Sequence, residues 1–195
     1  PWVKEADIVC LNWINQGLMG VRGIRKLHEA GKKIVWTLHD MWAMTGICHH
    51  AYDCDHYRKE CGDCQFLSGG GSPGDLSHKC WGKKHRLLGD VPISYVTVSH
   101  WLEECARSSS LLRSHSIRTI HNPFPIEQFY YERDRSLYTL FTPDKPNIIL
   151  FGAARLDDPI KGLDYAIDAL NHIFDNYPEI ASTTAVYFFG QLKNQ

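Results

Sequence analysis

Hydrophobic residues recur along the chain in short, unbroken runs, separated by stretches in which apolar positions repeat with a helical period. Such runs, rich in β-branched and aromatic residues, predict buried strands. They occupy residues 7–12, 33–38, 94–98, 117–120, 147–152 and 184–189. Strands that alternate with helices join through right-handed crossovers on a parallel sheet, so the pattern predicts an α/β fold.

The helical stretches differ in how clearly their apolar residues follow a helical period. Residues 163–177 give the clearest pattern, because apolar side chains step by three and four positions along one face until Pro178. Residues 17–30 predict a weaker helix, interrupted by glycines and closed by Gly31. A short helix is also expected over residues 126–129, followed by a polar linker or surface helix.

A third helix is predicted after Ser99, a good N-cap, with acidic residues in the first turns where the helix dipole favours them. Its apolar face would include Trp101. We expect Trp101 and Trp36 to lie in the core, and Cys10 and Cys105 to be buried as small hydrophobic side chains.

The composition is that of an ordinary globular protein, with 44% hydrophobic and 22% charged residues among 195. Bulk disorder and fibrous structures are therefore excluded. The net charge of −1 argues against a nucleic-acid partner. No apolar run approaches the roughly 18 residues of a membrane span. The basic stretch 79–86 is a candidate for peripheral membrane contact, although such stretches are more often solvated helix faces.

The chain contains seven cysteines, an odd number, and no signal peptide opens it. This usage predicts a reducing, cytoplasmic environment, with the inner face of the membrane as the alternative location. Because the chain starts at Pro1 and stops soon after a predicted strand, we also expect it to be part of a longer protein.

A cysteine-rich segment offers a candidate metal site. It has the spacing C-x5-C-x6-C-x2-C, formed by Cys48, Cys54, Cys61 and Cys64, with histidines interleaved. Four thiolates satisfy tetrahedral zinc, and a closed shell of four ligands would be structural, not catalytic. Two disulfides and reduced thiols packed in a loop remain the alternatives.

A second candidate site follows the predicted strand 147–152, in the string NIILFGAARLDDPIKG. It brings Arg155, Lys161 and the helix-opening Gly162 to the carboxyl edge of a sheet, where ligands bind in open α/β folds. A guanidinium, an ammonium and a free helix N-terminus suit a diphosphate. The alternative is two solvated charges, one of them paired with Asp157 or Asp158.

Four strings in order resemble motifs of the retaining glycosyltransferases of the GT-B fold. They are G-x-x-R-x5-K-G at 152–162, VSHWL at 98–102, IHNP at 120–123 with Phe129 beyond, and WTLHDMW at 36–42 followed by TGxC at 45–48. The last string resembles a bacterial branch whose N-terminal domain carries a cysteine-rich insert. Pro123 and Pro125 depart from the family's pattern, which has Gly and Asp there.

This resemblance implies a hexosyl- or related transferase that moves a sugar, with retention, from a nucleotide diphosphate sugar to a hydroxyl of a saccharide or lipid-linked acceptor. Bacterial polysaccharide or glycolipid synthesis would be its setting. Arg155 and Lys161 would hold the donor diphosphate and stabilise the leaving phosphate. No catalytic metal is then expected, so Asp53 and Asp55 should not be a metal-binding pair.

The resemblance also implies two Rossmann-like domains. Residues 1–143 would be the latter part of an acceptor-side domain, with the cysteine-rich insert at about 46–90, and residues 144–195 the start of the donor-binding domain. We expect such an incomplete chain to have little activity alone.

His39, at the end of the predicted strand 33–38, is the catalytic candidate, because in related enzymes a histidine there lies near the transferred sugar. Its alternative is a structural histidine partnered by Asp40, and Trp42 beside it is a candidate for stacking on a sugar. A different class of function also stays open: a zinc-stabilised α/β interaction module without catalysis.

Overall fold

The computed structural model describes residues 2–15, 17–129 and 145–192. The chain divides into two compact units, Pro1–Phe124 and Pro125–Gln195. The boundary predicted at 143/144 and the polar stretch that precedes it lie outside the described residues. Each unit is therefore considered by itself.

The first unit is an α/β structure built on a four-stranded parallel sheet, as the sequence predicts. The strands lie side by side in chain order. They are β1 (Ile8–Asn12), β2 (Lys33–Leu38), β3 (Ile93–Thr97) and β4 (Ser116–Thr119). The helices are α1 (Trp2–Glu5), α2 (Val21–Glu29), α3 (Leu76–Leu88) and α4 (His100–Ser108).

The core of this unit lies on one face of the sheet. The buried strand positions alternate along the strands and include Leu11, Trp36 and Tyr95. Trp36 is 4% exposed, so its predicted place in the core is confirmed. The prediction for Cys10 is wrong: it is exposed, because successive strand residues point to opposite faces and its neighbour Leu11 points into the core.

The predicted helix at 17–30 begins only at Val21 and ends at Glu29. The preceding Gly17 has φ of 115°, a conformation that favours glycine and is incompatible with a helix. Gly31, with φ of 74°, follows the end of the helix as predicted.

In α4 the predicted N-cap is confirmed, since the Ser99 side chain accepts a hydrogen bond from the Leu102 amide at 3.2 Å. The prediction that Trp101 lies in the core is wrong, because Trp101 is 52% exposed. Leu102 and Ala106 bury the inner face of this helix instead. Cys105 is only partly buried.

Helix α3 is a long element that the strand and helix patterns above do not include. It covers the basic stretch 79–86, and Asp75 caps it by accepting the His78 amide at 3.1 Å. Apolar periodicity is weak here because lysine, histidine and arginine occupy many positions. The interpretation of this stretch as a solvated face fails at Lys84, which is 4% exposed.

The second unit is a strand–helix–strand unit, as predicted, with β5 and β6 paired in parallel. Its elements are β5 (Asn147–Arg155), a 3-10 turn at Pro159–Lys161, α5 (Leu163–Asn176), α6 (Pro178–Thr183) and β6 (Thr184–Gln191). Pro178 ends α5 as predicted and also begins α6, where its fixed φ suits a first helical turn. In the part of the chain that the structure describes, no helix is long and apolar enough to cross a bilayer.

Candidate functional site

A cavity of about 550 Å³ lies in the first unit, where the loops after β1 and β2 meet helix α3. Its walls include Asn15, Trp42 and His49 from the two loops, and Lys83 and Lys84 from the helix. Both loops leave the carboxyl ends of their strands. This is the edge of a parallel sheet at which ligands bind in open α/β folds.

His49 lies in this cavity wall within a hydrogen-bonded chain. Its Nδ1 lies 2.7 Å from Oδ2 of Asp40, and the other oxygen of Asp40 accepts the Trp42 amide at 2.9 Å. The side-chain amide of Asn15 lies 3.2 Å from Nε2 of His49. These contacts place the carboxylate of Asp40 at Nδ1 of the imidazole and the side-chain amide of Asn15 at Nε2.

Trp13 stacks on His49, with its ring centroid 5.1 Å from that of His49 and an angle of 24° between the planes. Its φ of 35° places a bulky residue in the left-handed region. Backbone strain of this kind is found most often at functional sites. The indole remains 49% exposed, so one aromatic face is available to a ligand.

His39, the histidine singled out from the sequence, is exposed at the end of β2 and lines a narrow recess with Trp13 and Trp42. Asp40 pairs with His49, ten residues along from His39. Asp40 is therefore the partner of His49, and not of His39 as the structural alternative expects. A contact between His39 and a sugar stays a prediction.

Lys84 is the most deeply buried charge of the site. Its ammonium donates hydrogen bonds to the carbonyls of Trp42, Thr45 and Gly46, the last two at 2.8 and 3.1 Å. It also lies 3.8 Å from the centre of the Trp42 ring. Burial lowers the pKa of Lys84 to about 7, because the charged form loses its hydration. Lys84 thus holds the loop after β2 against α3.

The four cysteines of the predicted zinc site lie in the insert that follows this loop. All are free thiols; Cys61 and Cys64 are buried, and Cys48 and Cys54 are partly buried. The Gly46 amide donates to Sγ of Cys61 at 3.2 Å. Burial and, to a smaller extent, the neighbouring thiols together raise the pKa of Cys48 to about 11.

Among the described residues, no group of three or more His, Cys, Asp or Glu side chains is placed to hold a metal ion. The zinc site therefore stays a prediction. Asp53 and Asp55 are both exposed in the same insert, as expected for surface charges.

In the second unit, the guanidinium of Arg155 pairs with the carboxylate of Asp157 through contacts of 2.8 and 3.2 Å. This ion pair is one of the alternatives left open above, and its hydrogen bonds raise the pKa of Arg155. Lys161 ends the 3-10 turn that precedes α5. Gly162 caps α5 with φ of 71° and without a side-chain cap, so the prediction that it opens the helix is confirmed.

The sequence motifs identified His39, Arg155, Lys161 and Gly162, but not the group formed by Trp13, Asn15 and His49. The available signal was the string WIN directly after the first strand, at the edge where ligands bind. His49 was hidden because it lies beside Cys48 and was grouped with the cysteines.

Comparisons of the chain with protein-family models, with curated proteins and with solved structures give no match. The resemblance to a glycosyltransferase family therefore rests on the four motifs alone. What the fold adds is an α/β architecture with a four-stranded parallel sheet.

Proposed function

We propose that this chain is part of a retaining glycosyltransferase of the GT-B type. The observation that carries the proposal is the β5–loop–α5 segment of the second unit. There the motif residue Arg155 ends β5, Lys161 ends the following 3-10 turn, and Gly162 opens a helix that lacks a side-chain cap. A helix start of this kind, next to two cations, is suited to the diphosphate of a nucleotide sugar.

In the proposed reaction the bond between the sugar and the diphosphate breaks, and negative charge builds up on the leaving phosphate. Arg155 and Lys161 stabilise that charge, which is electrostatic catalysis by positioned cations. Asp157 orients the guanidinium of Arg155 through two hydrogen bonds before the donor binds. The left-handed conformation of Gly162 opens the helix next to Lys161, where a phosphate can approach the backbone.

The acceptor would bind to the first unit, at the carboxyl ends of β1 and β2. Trp13 and Trp42 supply aromatic faces of the kind that stack on sugar rings, and Asn15 supplies an amide. His39, exposed at the end of β2, would bind a hydroxyl of the sugar or the acceptor. The chemistry of the acceptor and a cytoplasmic location, with α3 toward the inner face of a membrane, belong to the same proposal.

Titration of the intact protein with nucleoside diphosphates and nucleoside diphosphate sugars tests the proposal. Replacing Arg155 or Lys161 by Ala removes charge-assisted hydrogen bonds to phosphate and should weaken binding by about tenfold or more. Arg118→Ala, an exposed arginine of β4 outside the motif, is the control that should bind normally. If the intact, folded protein binds none of these nucleotides, the interaction-module alternative is favoured.

A further inference from the structure

The cavity of the first unit is lined by basic side chains and by no acidic ones among the described residues. The described residues that line it include Lys83 and Lys84, and none of them is an aspartate or a glutamate. The carboxylate of Asp40 belongs to the same loop, but it is already engaged by His49 and by the Trp42 amide. A ligand in this cavity therefore meets positive charge and hydrogen-bond donors.

Lys83 is the cation that a ligand can reach. It is exposed at the cavity wall, and within the described ranges its ammonium forms no ion pair or hydrogen bond. Lys84, next to it in α3, has its ammonium held by three carbonyls and acts only through its field. Because its ammonium is exposed at the cavity wall and unpaired in the described part of the chain, Lys83 is available to contact a ligand.

Much of the remaining wall is apolar and suits the body of a sugar. Trp42 presents an indole, and Leu18, Met19 and Ile47 line the same space. A volume of about 550 Å³ lies within the range of small-molecule sites, which combine apolar walls with a few polar groups.

We propose that this cavity binds a saccharide acceptor through an anionic group, a carboxylate or a phosphate carried on the sugar, which Lys83 contacts directly. That the bound saccharide is an acceptor rests on the proposed function, but the binding itself requires no nucleotide sugar. It defines the acceptor class as an acidic or phosphorylated saccharide.

The test measures the binding of three monosaccharides to the 195-residue chain. Calorimetry, or chemical-shift changes of the Trp42 indole, gives the affinity. Methyl glucoside is neutral, glucuronic acid carries a carboxylate and glucose 1-phosphate carries a phosphate. One partly exposed ion pair should make at least one charged sugar bind about fivefold more tightly than the neutral one. The preference should shrink at about 0.5 M salt, because exposed charges are screened.

Which of the two charged sugars binds more tightly decides between a carboxylate and a phosphate. Lys83→Met should abolish the preference without changing the affinity for methyl glucoside. Lys79→Met is the matched control, because Lys79 is an exposed lysine of the same helix outside the cavity wall. Arg155→Ala should also leave the preference intact, which separates this cavity from the donor loop.

Three results would overturn the inference: equal affinity for the neutral and charged sugars, a preference that survives in Lys83→Met, or no binding of any of the three. Failure of the proposed function looks different. In that case the charged sugars still bind in a Lys83-dependent manner, while the intact protein binds no nucleotide sugar.

Discussion

The buried ammonium of Lys84 leads to a specific prediction about stability and pH. Its pKa is about 7 in the folded chain, against an ordinary value of 10.5. Between these two values the unfolded chain holds a proton that the folded chain has lost. Stability therefore rises with pH across this window and is lowest below pH 7.

The size of the effect follows from the shift. Once Lys84 is deprotonated in the folded chain, the slope approaches about 1.4 kcal/mol per pH unit. Integrated from pH 7 to pH 9, with the onset at pH 7 included, this gives a gain of about 2 kcal/mol in the free energy of unfolding. Above pH 9 the raised pKa of Cys48 acts in the opposite direction, so the useful window ends there.

Lys84→Met isolates this contribution, since it keeps an unbranched apolar stem and removes the titrating group. We expect the difference in the free energy of unfolding between the original chain and this variant to change by about 2 kcal/mol from pH 7 to pH 9. Urea unfolding followed by tryptophan fluorescence is the assay. All six tryptophans precede residue 102, so the signal reports the first unit alone.

Lys83→Met, the exposed neighbour, is the control and should leave the pH dependence unchanged. A difference that stays flat from pH 7 to pH 9 would refute the reasoning. It would mean that the three carbonyls and the Trp42 ring retain the proton on Lys84 against the cost of burial.

The remaining predictions concern the cysteine-rich insert and the packing of its glycines. Protein purified without chelator should contain about one zinc per chain, which Cys61→Ser should remove. Absence of metal with all seven thiols freely titratable would contradict the zinc site, and absence of metal with the four thiols of the cluster blocked and those of Cys10, Cys80 and Cys105 still titratable would indicate two disulfides. Gly46→Ala should destabilise the first unit by about 1–3 kcal/mol, because a Cβ would lie 2.3 Å from the Ser77 carbonyl oxygen. Gly82→Ala, with nothing within 4 Å, should instead stabilise α3 by up to about 1 kcal/mol, and equal urea midpoints for the two variants would refute the packing argument.

The sheet was predictable because its signal is local. Each predicted strand corresponds to an observed one, and β2 has the predicted limits, since short β-branched runs mark buried strands wherever they occur. Local patterns were less informative about helices. In α3 many of the positions are basic, and one of them, Lys84, is buried by its contacts with a loop about 40 residues earlier in the chain.

The site depended on non-local contacts and was therefore only partly predictable. A strand end predicts that His39 and Asp40 lie at the ligand edge, but not which histidine Asp40 binds. The loop after β2 folds back on itself, so that the Met41 amide donates to the His49 carbonyl at 2.8 Å. This contact brings His49, and not His39, next to Asp40. The motif residues of the second unit were easier to find, because they follow one another within a single loop.

One segment, residues 42–48, connects the cavity with the cysteine-rich insert. Trp42 lines the cavity, the Gly46 carbonyl accepts from Lys84, and the Gly46 amide donates to Cys61. A change at the thiol of Cys61 therefore acts on the loop that Lys84 holds in place, one residue along the helix from Lys83. Under the proposals above, loss of the metal or oxidation of Cys61 should therefore weaken sugar binding through the Gly46 hydrogen bonds, without any contact between sugar and sulfur, and calorimetry before and after oxidation checks this.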